Sequence, residues 1–85
     1  EVVSNFRVKR NEDRRRMAFS WDRVDTASGY VIRWGTTPGQ MGNAVMVHDH
    51  QAEFGFFDRD LSYYVTIEAF GATGVSKRSA SIRID

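Results

Sequence analysis

The sequence predicts an all-β domain, a sandwich of seven strands in two sheets joined by Greek-key connections. Three observations predict it. The first is composition: nine Val, four Ile, five Thr and eleven aromatic residues stand against a single leucine, Leu61. Branched and aromatic side chains suit a pleated, half-buried surface, whereas helices lean on Leu, Ala, Glu and Lys. The second is period-two alternation of apolar and polar residues in short blocks, with no sustained helical period. The third is spacing, since the blocks recur roughly every ten residues with turn residues between them, the signature of a sandwich or small barrel. The 85 residues are enough for one modest core, and no linker, repeat or low-complexity tract divides them, so residues 1–85 read as one domain.

The elements follow in order. Phe6 and Val8 alternate with Arg7 and Lys9, and Asn11-Glu12-Asp13 turns the chain. Met17, Phe19 and Trp21 alternate with Ala18 and Ser20. After a polar stretch, Tyr30, Ile32 and Trp34 alternate with Val31 and Arg33. A turn-rich loop from Gly35 to Gly42 holds the only proline, Pro38. Val45 and Val47 mark a short strand, and Glu53 to Phe57 an aromatic-rich one. Asp58-Arg59-Asp60 breaks the pattern before Tyr63, Val65, Ile67 and Ala69 alternate with Tyr64, Thr66 and Glu68. Gly71 to Gly74 turns the chain, and Ala80, Ile82 and Ile84 alternate to the end. One sheet is expected to hold the strands around Phe6, Phe19 and Phe54, the other those around Ile32, Val47, Ile67 and Ile82.

Several functions are disfavoured by content alone. Without cysteine there is no disulfide framework or thiolate metal site. A net charge of +1 gives no bulk attraction for nucleic acid or an anionic membrane, and no apolar run approaches the ~20 residues of a membrane span. The chain opens Glu1-Val2-Val3 without Met, which reads as a domain cut from a longer protein or processed from one.

The blocks also fall in a familiar order. Met17-x-Phe19-x-Trp21-Asp22 is followed by Gly29-Tyr30-Val31-Ile32-Arg33-Trp34-Gly35, and Phe57 stands six residues before Tyr63-x-Val65-x-Ile67-x-Ala69. Over nearly its whole length the chain resembles a fibronectin type III module, an immunoglobulin-like sandwich. The resemblance places Trp21, Tyr30, Ile32, Trp34, Phe57 and Tyr63 in the core, with Tyr63 as the family's corner tyrosine. Phe57 stands where the family usually has Leu, and Arg59 where it has Pro. A narrower likeness runs through GYVIRWGTTPGQMG, Val45 to Asp49 and SYYVTIEAFGATGVS. These segments are similar to the C-terminal accessory module of some family 43 glycoside hydrolases of gut Bacteroidetes.

That likeness implies a non-catalytic spacer or docking module of a larger secreted, periplasmic or cell-surface carbohydrate-active protein. Its partner would be a neighbouring domain of the same chain. The alternatives are a carbohydrate-binding module and an adhesion-type interaction module. The Arg-Gly-Asp of some integrin-binding relatives is not carried over, because the loop here reads Ala72-Thr73-Gly74-Val75-Ser76.

Candidate sites are few. His48 and His50 share a strand face around Asp49, but zinc needs three or four ligands and the sequence offers no third, so they read as ordinary histidines. Asp58 with Asp60, and Asp22 with Asp25, read as turn-stabilising carboxylates rather than an acid–base pair, since a sandwich this small has little room for a cleft. Arg14-Arg15-Arg16 with Lys9 and Arg10 reads as a solvated charged edge. Val31, Tyr64 and Phe70 fall on the outward register and form the expected partner surface, against a neighbouring domain or, alternatively, a glycan. No cofactor, metal or catalytic residue is expected, and the chain is expected to be monomeric.

Overall fold

The computed structural model describes residues 3–37, 39–72, 74–76 and 78–85. Eight strands follow in order: β1 (Arg7–Arg10), β2 (Met17–Ser20), β3 (Gly29–Gly35), β4 (Asn43–Val47), β5 (Gln51–Phe54), β6 (Tyr63–Gly71), β7 (Gly74–Val75) and β8 (Ile82–Ile84). All pairings are antiparallel. One sheet runs β1-β2-β5, and the other runs β4-β3-β6 with β7 and β8 both on the far side of β6. The partition of strands between sheets is the one the sequence predicts.

The core forms where the inward registers meet. Phe19 and Met17 project from the smaller sheet, and Ile32, Val65 and Ile67 from the larger, all with almost no exposure. Trp21 sits edge-on to Tyr30 at 5.2 Å, and the Tyr30 hydroxyl accepts a hydrogen bond from the Val24 amide at 2.8 Å. At the other end Phe57 packs edge-on against Tyr63 at 5.2 Å. Tyr63 is buried and its hydroxyl accepts the Asp58 amide at 2.8 Å. Such an arrangement lets a ring be buried while its polar end stays satisfied.

This geometry gives a first expected result. Tyr63→Phe leaves the part-buried Asp58 amide without its partner and costs about 1–2 kcal/mol, whereas Tyr64→Phe, on the outward register, stays within about 0.5 kcal/mol. Denaturant melts of the two variants check it, and equal small effects would contradict the corner.

Three elements differ from the sequence expectation. The aromatic-rich strand begins at Gln51 and ends at Phe54, short of Phe57. It stops at Gly55, where a Cβ would come within 2.8 Å of the Arg16 guanidinium. The last strand is split into β7 and β8, and neither Ala80 nor Ser81 is in a strand. The register explains the split: six residues separate Val75 from Ile82, but only four separate their partners Phe70 and Val65. Ser76 and Ser79 bridge the mismatch, their hydroxyls accepting the Ala69 and Ile67 amides at 2.8 and 2.9 Å. Serine oxygens replace strand carbonyls there, a local alternative open to short hydroxyl side chains. Finally, Trp34 is only half-buried, unlike the other five residues placed in the core with it. It lies near the end of β3, where aromatic rings from beyond β5 cover it in place of a strand.

Candidate functional site

The outward residues singled out by register come together only in part: Val31 stands opposite Glu68 and diagonal to Phe70, whereas Tyr64 lies further along the face. Val31, Tyr64 and Phe70 are each half-buried. Tyr64 and Phe70 are six residues apart on β6, about 20 Å along a strand. Between them lie Thr66 and Glu68, only 3% and 8% exposed. Met41 covers Thr66, with its sulfur 3.7 Å from the Thr66 hydroxyl. Glu68 is held by Arg33 at 2.6 Å and approached by Arg78 at 3.6 Å. Phe70 packs edge-on to His48 at 6.5 Å and lies over Gly29, where a Cβ would come within 2.6 Å of its ring. The Arg33–Glu68 pair and Thr66 thus separate Tyr64 from Val31 and Phe70, and the three form no continuous surface.

An aromatic step stands elsewhere. Phe56, 55% exposed, stacks with Trp34 at 5.1 Å and with Phe54 at 5.2 Å. Phe57 supports it from the core at 4.8 Å. The polar rim includes Arg16, ion-paired with Glu53 at 3.1 Å, and Asn43, whose amide nitrogen lies 3.4 Å from the Trp34 carbonyl. Hydrogen bonds from Arg16 and Asn11 hold the Glu53 carboxyl below its usual range. This exposed ring, in a well-packed aromatic cluster with a charged rim, is the candidate contact site. Sequence reading missed Phe56, although a signal was present: in Phe54-Gly55-Phe56-Phe57, two adjacent rings cannot both follow one inward register.

The other candidates resolve into local structure. His48 Nδ1 lies 3.1 Å from the Ser28 carbonyl, while His50 Nδ1 meets Asp49 at 2.9 Å and Arg23 at 3.1 Å. The two imidazoles thus engage different partners. The His50 amide donates to Asp49 and, with the Arg23 charge nearby, keeps that carboxyl below its usual range. Among the described residues no group of three or more His, Cys, Asp or Glu side chains is placed to hold a metal ion. Asp58 accepts the Asp60 amide at 2.8 Å, and Asp22 accepts the Asn5 side-chain amide at 2.8 Å. Arg15 pairs with Asp13 at 3.0 Å, Arg14 donates to the Arg59 carbonyl, and Arg10 donates to the carbonyls of Arg14, Asp58 and Leu61. Each arginine of the cluster, Arg16 with Glu53 included, thus holds an internal partner. No helix among the described residues is long and apolar enough to cross a membrane.

Comparison with solved structures decides the fold. The chain superimposes on the FN1-FN3 domains of chicken CNTN1 with a TM-score of 0.84 at 22% identity, covering 99% of this chain and 31% of that one. The fold is that of a fibronectin type III domain. A Fn3-like protein from Clostridium thermocellum matches with a TM-score of 0.82 at 12% identity, covering 100% of this chain and 91% of that one. The sixth fibronectin type III domain of human fibronectin type III domain containing protein 3 matches at 0.79 and 15% identity, covering 98% and 81%. No protein-family model matches the sequence. No curated protein matches it either. Nothing among these neighbours supports a link to family 43 glycoside hydrolases.

Proposed function

We propose that this fibronectin type III domain is a non-catalytic module that spaces and docks neighbouring domains of a larger protein. The observation that carries the reading is the Phe56 step, an exposed ring fixed by Trp34, Phe54 and Phe57 on a rigid two-sheet frame. Aromatic anchors of this kind contribute contact area at low entropic cost, because packing has already fixed the ring. The neighbour in chicken CNTN1 is a run of FN1-FN3 domains, of which this chain matches about a third. That context favours a domain of the same chain as the partner. A secreted, bacterial, carbohydrate-active parent remains the finer expectation, and it rests on the sequence likeness alone.

Carbohydrate binding is the second reading, because exposed aromatic rings can stack on sugars. Phe56 already makes two stacked contacts within the chain, which disfavours a pyranose on its face. One test separates the readings. Phe56→Ser should lower the isolated domain's melting temperature by no more than about 6 °C and that of the intact parent by clearly more. Equal effects in both proteins would overturn docking through this step. Micromolar binding of a soluble glycan to the isolated domain, lost in Phe56→Ser, would replace docking with carbohydrate recognition.

A further inference from the structure

The open edges of the two sheets are not alike. A strand at a sheet edge presents unpaired N–H and C=O groups, and proteins blunt such edges with charge, proline, bulges or interruptions. β1 carries Arg7, Lys9 and Arg10 among its four residues. β5 carries Glu53, which binds the side chains of Arg16 and Asn11. The edge beyond β6 is interrupted between β7 and β8, and it ends beside the Arg83–Asp85 ion pair at 2.9 Å. β4 has none of these devices. Its sequence is Asn43-Ala44-Val45-Met46-Val47, with no charge, proline or glycine, and all five residues pair with β3 in unbroken register from Trp34↔Asn43 to Tyr30↔Val47. Among the described residues it has β3 as its only strand neighbour.

We propose that β4 is a self-association edge that pairs antiparallel with β4 of a second copy of this chain. The side chains favour that occupant over an arbitrary strand. A two-fold axis through Val45 sets Ala44 opposite the partner copy's Met46 on the outer face, and Asn43 opposite its Val47 on the inner one. Large meets small twice on the outer face, where Ala44 and Met46 are both exposed and Met46 reaches 58%. No like charges oppose across the axis, and the register is fixed by the side-chain alternation. The isologous contact closes on itself, so it yields a dimer and not a fibre. Five residues of pairing make a small interface, well below ~1,200 Å², so the dimer is weak, with a dissociation constant of about 0.1–1 mM. The monomer expected from the sequence is then the dilute state.

Sedimentation velocity from about 20 μM to about 2 mM, spanning the expected dissociation constant, tests the edge on three proteins. The unmodified chain should shift from monomer toward dimer. Ala44→Lys with Met46→Lys places like charges across the axis and should hold the chain monomeric throughout. Ala44→Lys with Met46→Glu places opposite charges there and should restore association to at least the unmodified level. Thermal melts establish that the variants are folded. Should either fail to fold, amide shifts on dilution of the unmodified chain decide, since changes confined to Asn43–Val47 support the edge and changes elsewhere overturn it. No association of the unmodified chain, a dimer that survives like charges, or loss of association in both variants would each overturn the proposal.

Discussion

Phe57→Ala should unfold the domain about 3–5 kcal/mol more readily, and Phe56→Ala, its neighbour in sequence, by about 1 kcal/mol or less. Phe57 is 3% exposed and wedged between Phe19 at 6.1 Å, Tyr63 at 5.2 Å and Trp34 at 5.7 Å. Truncation removes its transfer energy and leaves a cavity that rings from both sheets can only partly fill. It also loosens the corner, because Phe57 directly precedes Asp58, whose amide binds the Tyr63 hydroxyl. Phe56 loses stacked contacts but little buried area. Paired chemical melts check the contrast, and similar losses for the two residues would contradict the division between core ring and exposed step.

A second effect is expected at the Arg33–Glu68 pair on the outer face. Arg33→Ala removes the partner of the Glu68 carboxylate and part of the cover that holds Glu68 to 8% exposure, with Arg78 at 3.6 Å as the remaining cation among the described residues. Breaking a fully buried pair by removing one partner costs about 3–5 kcal/mol; here Arg33 is itself a third exposed and Arg78 remains, so about 1–2 kcal/mol is expected. Glu68→Gln removes the charge, keeps the shape and can retain a hydrogen bond to Arg33, so about 1 kcal/mol is expected. Thermal unfolding at neutral pH measures both, and a loss below about 0.5 kcal/mol for Arg33→Ala would show that solvent reaches the carboxylate.

The fold was legible because period-two alternation is a property of the strands themselves. Phe19, Ile32, Val65 and Ile67 announce their burial through their own neighbours, and the order of the blocks separates the two sheets. The split seventh strand was not legible, because the extra two residues opposite β6 appear only once Phe70↔Val75 and Val65↔Ile82 are both paired. Burial of Glu68 was hidden for a related reason. Its outward register predicts exposure, but Arg33 on the neighbouring strand and Arg78 near the interrupted edge close over it. The candidate contact site was half legible. The crowding of Phe54, Phe56 and Phe57 was visible, but placing Trp34 beside them required β3 and the segment after β5 to meet across the sandwich. Alternation cannot report such a contact, because it joins the end of one sheet to the rim of the other.

On the proposed reading, Phe56 marks the face this module presents to its neighbour. Amide hydrogen exchange compared between the isolated domain and the intact parent tests it most directly. Docking through the step predicts slower exchange at Gly55–Phe57 and at Trp34 in the parent, with Tyr64 and Phe70 unchanged. Unchanged rates around Phe56, or protection appearing at Tyr64 and Phe70 instead, would contradict it.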